Sequence, residues 1–127
     1  VRGCRLCLPV VVDRIRIVFR TWTPDADLIE TGFGTRGPGP EAPVVDPNVM
    51  LMPMAVFDRR GGRIGYGAGH YDRAIEVLHR GGRQPVLIGL AFACQETEAV
   101  PVEPHDQMLH VIATETDIIA CQDRKEI

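Results

Sequence analysis

The sequence predicts an α/β protein built on a parallel sheet, and three observations predict it. Val49–Val56 (VMLMPMAV) and Pro85–Phe92 (PVLIGLAF) are near-continuous apolar runs, the pattern of strands covered on both faces. Between them Tyr71, Ala74, Ile75 and Leu78 recur at i, i+3, i+4 and i+7, one stripe of an amphipathic helix. Strand, helix and strand in that order form a parallel crossover unit.

The other elements follow along the chain. Cys7–Val12 and Ile15–Phe19 are short and β-branched, separated by Asp13-Arg14, which suits two strands joined by a tight turn. Leu28-Ile29 is too short to classify. From Gly32 to Pro47 glycine and proline are dense, so no helix or central strand is expected there. A loop of that length is usually functional or disordered. Pro53 marks the end of the first apolar run. Met50, Met52 and Met54 alternate onto one strand face as core filler. Gly81-Gly82 stops the helix, and His79 and Arg80 complement its dipole. Val111–Thr114 and Ile118–Ala120 close the chain with short apolar segments.

Bulk properties bound the function. The 127 residues are expected to form one domain, 1–127, large enough for a core without staples. A net charge of -3 with mixed signs along the chain offers no basic footprint for nucleic acid. Nothing approaches the ~20 apolar residues of a membrane span, and no signal-peptide pattern opens the chain. The expected location is the cytoplasm. Of the four cysteines, Cys4 and Cys7 form one C-x-x-C pair while Cys94 and Cys121 stand alone. That excludes the two close pairs of a usual structural zinc site. The pair leads into a strand rather than a helix start, where a thiol pKa would fall. All four read as reduced, structurally minor residues, with burial the usual fate of free cysteine. No Ser-His-Asp order or G-x-S-x-G elbow is present.

The stretch from Gly61 to Arg73 (GGRIGYGAGHYDR) lies between a strand and the amphipathic helix. Phosphate oxygens must reach backbone N–H groups there, and a Cβ would obstruct them. The helix start adds unpaired N–H groups and partial positive charge, with Arg63 and Arg73 at either end. Asp72 would be repelled by a bare polyphosphate, but not with a divalent cation between them. Mg²⁺ typically takes one or two carboxylates together with phosphate oxygens. No Walker lysine is present, and G-x-G-x-G differs from the Rossmann fingerprint. Two readings therefore stand: a phosphate cradle, or a glycine-rich turn that only permits a tight connection. A second cluster, Glu103, His105, Asp106 and His110, can bind metal or move protons, or can be a solvated loop. If extended by Pro101 and Pro104, it carries Asp106 toward the strand ends where α/β ligands gather. Trp22, the only tryptophan, reads in isolation as core packing.

Taken together, these residues resemble a known family. Ala55-Val56-Phe57-Asp58 and the block Gly62–Arg73 are similar to the signature of the 5-formyltetrahydrofolate cyclo-ligases. Leu90-Ala91-Phe92 with Gln95, and then Val100–Asp106, resemble that family's C-terminal segment. Leu8-Pro9-Val10 and Phe19–Trp22 resemble its early strands. The resemblance implies a three-layer α/β sandwich with a mostly parallel central sheet, ribose-5-phosphate isomerase/CoA-transferase-like. It implies ATP- and Mg²⁺-dependent closure of 5-formyltetrahydrofolate to 5,10-methenyltetrahydrofolate, with release of ADP and phosphate. The formyl oxygen attacks the γ-phosphate, and the neighbouring ring nitrogen captures the phosphorylated imine. Phosphoryl transfer asks for positioning and charge neutralisation more than for side-chain chemistry. By the resemblance, Arg63, Ile64, Gly65, Tyr66, Gly67, Ala68, Gly69, His70 and Tyr71 hold ATP. Tyr66, Gly67, Ala68, Gly69, His70 and Trp22 border the folate, and Asp72 with Asp106 holds Mg²⁺. No catalytic side chain is singled out.

The chain also departs from the family. It opens on Val1, an abrupt start that suggests truncation or processing, and members carry about sixty or more further residues ahead of it, as their usual domain size implies. Gly37 replaces an acid ahead of Pro38, His110 stands where an aspartate is usual, and His70 varies a loop aromatic. These departures leave an alternative: a catalytically impaired nucleotide- or folate-binding remnant. A third reading is an interaction module whose exposed edge pairs in a homodimer.

Overall fold

A computed structural model describes residues 3–32, 34–66, 69–104 and 106–121. The chain divides into two compact units, Val1–Pro47 and Asn48–Ile127.

The first unit contains the expected hairpin. Strands β1 (Leu6–Val11) and β2 (Ile17–Trp22) pair antiparallel from Leu6↔Trp22 to Val11↔Ile17. Asp13 builds the turn. Its Oδ1 accepts from the N–H of Ile15 and of Arg16, both at 2.9 Å, and its Oδ2 accepts from Arg16 Nε at 2.9 Å. This is the local side-chain-to-backbone bonding that suits aspartate to turns, and the bond from Ile15 leads in holding its carboxyl below the usual value. Ile15 and Arg16 therefore belong to the turn, and β2 runs on to Trp22.

The stretch expected to be a long loop is more ordered than its composition suggests. Strand β3 (Ile29–Gly32) pairs with β4 (Thr35–Gly37), and β5 (Val44–Val45) lies along β2 with Phe19 opposite Val45. Such ladders need only two or three residues, so flanking prolines do not prevent them. Pro43 even takes part, its carbonyl accepting from Thr21 N at 2.9 Å. The expectation that no central strand forms here holds, since the sheet order β1-β2-β5 leaves β5 at an edge.

The second unit carries the α/β pattern. Its strands are β6 (Val49–Pro53), β7 (Val56–Phe57), β8 (Arg63–Ile64), β9 (Val86–Leu90), β10 (Val111–Ala113) and β11 (Ile118–Ala120), with helix α1 at His70–Arg80. The main sheet runs β11-β10-β9-β6. β6 pairs parallel with β9, and β9 with β10, while β11 is antiparallel at the edge. Helix α1 buries Ala74, Ile75 and Leu78, as its period predicts, and Tyr71 is half-buried. Gly82 closes it at φ 83°, a left-handed conformation open to glycine, while Arg83 N returns to Leu78 O at 2.9 Å.

The strand of the first apolar run ends at Pro53, as expected, and β7 begins at Val56. One expectation about the apolar runs changes: β6 and β9 are not covered on both faces. Met50, Met52 and Leu87 are buried, whereas Val49, Leu51, Val86 and Leu90 are exposed. The buried face, with Met54, Leu109, Ile112 and Ile119, makes the core. Burial is also not the rule for the cysteines. All four are free, Cys4 and Cys94 are exposed, and Cys7 and Cys121 are half-buried.

Candidate functional site

The site begins with a small hairpin. β7 and β8 pair through Val56↔Ile64 and Phe57↔Arg63, and Asp58 organises the turn between them. Its side chain is 1% exposed. Oδ1 accepts from the N–H of Arg60 and of Gly62, each at 3.0 Å. Oδ2 accepts from Val100 N at 2.7 Å and from Arg60 Nη2 at 3.2 Å. Burial pushes this carboxyl up, but the donors from Val100, Gly62 and Arg60 outweigh it and leave it below its ordinary value. Gly61 must be glycine. It sits at φ 100°, and a Cβ there would lie 2.6 Å from the carbonyl oxygen of Leu109. That proximity lets Leu109 N donate to Gly61 O at 2.9 Å, tying the turn to the segment ahead of β10.

Beyond β8 the glycine-rich loop leads into α1. The N–H groups of Gly65 and Tyr66 donate to no partner among the described residues. Gly69, at φ 71°, begins the helix with no side-chain cap. Two guanidinium groups lie against the loop. A Cβ on Gly65 would stand 3.1 Å from Arg63 Nη1, and one on Gly69 would stand 3.3 Å from Arg73 Nη1. The Arg63 side chain is 7% exposed and its Nη2 donates to Asp72 Oδ1 at 3.0 Å. Arg63 Nε and His70 Nε2 are buried without hydrogen-bond partners among the described residues. Burial raises the Tyr71 phenol, and the Arg63 charge partly opposes that shift.

Asp72 also meets the second sequence cluster. Its Oδ1 accepts from Gln107 N at 3.3 Å, next to Asp106. Asp106 Oδ2 accepts from Glu103 N at 2.8 Å, and Asp106 N donates to Glu103 O at 2.9 Å, a closed local turn. The loop bearing Asp106 is thus joined to the start of α1. No group of three or more His, Cys, Asp and Glu side chains gathers for a metal among the described residues. An all-protein cage is not what Mg²⁺ asks for, and one or two carboxylates beside phosphate oxygens suffice. Asp72 Oδ2 accepts no hydrogen bond from the described residues. Together the uncapped helix start, the open amides, the two guanidiniums and Asp72 fit a magnesium-bound polyphosphate.

A cavity of about 450 Å³ adjoins this loop, within the ~300–1,000 Å³ of ordinary small-molecule sites. It lies at the carboxyl ends of the three parallel strands, bordered by Pro53, Leu90 and Ala113, with Tyr66, Phe92 and Gln95 around it. Tyr66 comes from the glycine-rich loop, and its hydroxyl donates to Met54 O at 3.0 Å. Gln95 Nε2 donates to Met54 O at 2.8 Å and to Ala55 O at 3.0 Å. These three bonds satisfy the carbonyls freed where β6 ends, and they hold Tyr66 and Gln95 at the rim. Phe92 is exposed there as a flat apolar face.

Of the residues singled out in the sequence, the structure brings Arg63, Tyr71 and Asp72 together, with Gly65, Gly69 and His70 beside them. Ile64 uses its carbonyl within the protein, accepting from Ala55 N at 2.8 Å. Gly67, Ala68 and His105 lie outside the described residues. Trp22 ends β2 in the first unit, its Nε1 buried without a partner among the described residues. His110 serves the fold: its Nδ1 accepts from Leu87 N at 3.0 Å and its N–H donates to Leu87 O at 2.9 Å. Sequence reasoning gave Asp58 no role of its own. Its available signal was the Asp-x-x-Gly-Gly spacing, which suits an aspartate-built turn.

A glycine-rich strand-to-helix loop beside a pocket at the carboxyl ends of parallel strands defines an α/β protein with a small-molecule-sized pocket where such sheets gather their ligands. Comparison with known proteins narrows the class. Residues 2–115 match the 5-formyltetrahydrofolate cyclo-ligase family, and the chain belongs to that family. It is 30% identical over 122 residues to the 5-formyltetrahydrofolate cyclo-ligase of Escherichia coli K12, covering 91% of this chain and 66% of that protein. To that of Haemophilus influenzae it is 31% identical over 94 residues, covering 71% of this chain and 49% of that protein. The solved structure of the Aquifex aeolicus 5,10-methenyltetrahydrofolate synthetase superposes with a TM-score of 0.75 at 27% identity, over 97% of this chain and 61% of that one. The chain thus spans about half to two-thirds of the length of these relatives. No helix among the described residues is long and apolar enough to cross a membrane.

Proposed function

We propose that this chain carries the nucleotide and folate sites for the ATP- and Mg²⁺-dependent cyclisation of 5-formyltetrahydrofolate to 5,10-methenyltetrahydrofolate, with release of ADP and phosphate. The observation that carries the proposal is the meeting of the glycine-rich loop with the strand-end cavity through Tyr66. One side of that loop offers amides and guanidiniums, and the other an aromatic pocket.

On this reading the backbone from Gly65 to Gly69 and the first turn of α1 hold the phosphates, with Arg63 and Arg73 supplying charge. Asp72, with Asp106, holds Mg²⁺. ATP supplies the phosphoryl group that turns the formyl oxygen into a phosphate leaving group. Arg63 has a second part. Its Nη2 pairs with Asp72 Oδ1 at 3.0 Å, so a phosphate chain that draws the guanidinium away also frees the carboxylate for the cation. Tyr66, His70 and Phe92 border the folate ring, which an apolar, aromatic-rimmed cavity accommodates by stacking. The three-layer sandwich expected of the family belongs to the same proposal.

The test is the appearance of methenyltetrahydrofolate absorbance when 5-formyltetrahydrofolate and MgATP are added to folded protein. The expected result is product formation that requires both ATP and Mg²⁺. Folded protein that yields no product contradicts the proposal for this chain.

A further inference from the structure

Two aromatic rings stand at the strand-end cavity, and burial holds neither of them. Tyr66 is 74% exposed and Phe92 65%. Exposed side chains change rotamer freely unless something fixes their tip or the main chain beneath them. One side chain does both. Phe92 precedes a single 3₁₀ turn, Ala93–Gln95, and Gln95 folds back along it. Its Oε1 accepts from Phe92 N at 2.7 Å, while Gln95 N donates to Phe92 O at 2.9 Å, so the main chain of Phe92 is clasped at both polar groups. Gln95 Nε2 reaches the end of β6 and donates to Met54 O at 2.8 Å and to Ala55 O at 3.0 Å. Met54 O is also the acceptor of the Tyr66 hydroxyl, at 3.0 Å. A carbonyl oxygen carries two lone pairs, and Gln95 and Tyr66 together occupy them.

The polar side chains lining the cavity are Tyr66, Gln95 and Thr114. Their donor hydrogens all have protein acceptors. The Tyr66 hydroxyl and both Gln95 amide hydrogens go to the carbonyls at the end of β6. The Thr114 hydroxyl has Asp117 O at 3.4 Å and Thr116 Oγ1 at 3.3 Å within its own turn. A ligand therefore meets surfaces here rather than side-chain donors, and recognition by stacking depends on where the rings lie. We propose, on the folate reading of this cavity, that Gln95 is its positioning residue, setting Phe92 through the main chain and Tyr66 through the shared Met54 carbonyl. Length and chemistry both require glutamine for that part. Glutamate has the same reach but turns an oxygen toward two carbonyl oxygens, and methionine has similar reach with no amide to offer.

The experiment measures binding of 5-formyltetrahydrofolate and of MgATP separately, by calorimetry on the 127-residue chain, with product formation as an independent readout. Gln95→Glu and Gln95→Met should each weaken folate about tenfold or more, as two misplaced aromatic contacts imply, while shifting MgATP affinity less than about twofold. Arg59→Ala removes the ion pair that ties Glu96 of the neighbouring turn, at 2.7 Å. That pair is largely exposed, so its loss should leave folate affinity within about twofold. A merely structural glutamine would instead weaken both ligands in step with stability. Circular dichroism establishes which variants fold, and one folded variant suffices. Equal losses of folate and MgATP overturn the proposal, as do unchanged folate affinity in a folded variant, a comparable folate loss in Arg59→Ala, or failure of both Gln95 variants to fold. If the wild type still forms product in those cases, the folate reading stands without this role for Gln95. A folded wild-type chain that neither binds 5-formyltetrahydrofolate nor forms product overturns both.

Discussion

Replacing Asp58 by alanine should destabilise the second unit by about 3–5 kcal/mol. The magnitude follows from what the carboxylate does. It accepts from the N–H groups of Gly62 and Val100, both buried, and from the N–H and guanidinium of Arg60. Alanine strands the two buried N–H groups, at a cost of about 1–3 kcal/mol each. The Arg60 guanidinium adds little, because that side chain is 46% exposed. Asn keeps one carbonyl acceptor and should lose roughly half as much. Urea unfolding followed by far-UV circular dichroism measures both. The pH dependence supplies a second readout. The folded-state pKa is depressed, so the carboxylate's contribution is fully present above the unfolded value of ~3.9 and is lost as pH falls through the folded one. The gap between wild type and Asp58→Asn should therefore be constant near neutrality and shrink below about pH 4. An Asp58→Ala variant within 1 kcal/mol of wild type, as a rough bound on an ordinary surface change, would refute the role assigned to this turn.

Other consequences are equally direct. Asp72→Asn should weaken nucleotide binding about tenfold or more in Mg²⁺ and little in its absence, as for a cation's carboxylate. Calorimetry with and without the metal decides it, and equal losses would make Asp72 purely structural. Gly65→Val places a Cβ 3.1 Å from Arg63 Nη1 and covers an open amide; ATP affinity should fall about tenfold or more with folding retained, and unchanged affinity counts against the cradle. Phe92→Ala should weaken 5-formyltetrahydrofolate about five- to tenfold, in line with a lost aromatic contact, while sparing ATP. Thiol titration should label exposed Cys4 faster than Cys7, whose thiol is pushed up by burial; the reverse order would revive a redox role for the pair.

Local order was the legible part of the sequence. The period of Tyr71, Ala74, Ile75 and Leu78 gave α1 its buried face, and Asp13 gave the first hairpin its turn. Apolar runs were less informative. Val49–Pro53 and Val86–Leu90 carry apolar residues on both sides, the pattern of strands covered on both faces, and pattern alone does not show which face a neighbour covers. Hence both strands were expected to be buried where the structure leaves one face open. Short ladders escaped notice in Gly32–Pro47, because two-residue pairing at Val44-Val45 leaves no periodic trace. At the site, the glycines and Asp72 stood out because phosphate and metal chemistry restrict residue type. Asp58 and His110 did not, since their parts depend on Val100 and Leu87, distant in sequence and adjacent only after folding.

The central claim is that main-chain amides between Gly65 and the first turn of α1 receive the phosphates of a magnesium-bound nucleotide. An amide-resolved NMR titration of the chain with MgATP addresses it most directly. The account predicts that the largest shifts fall on Gly65, Tyr66, Gly69 and His70–Asp72, followed by the Arg63 guanidinium as it leaves Asp72. Saturable shifts confined to another surface, with these amides unmoved, would contradict it.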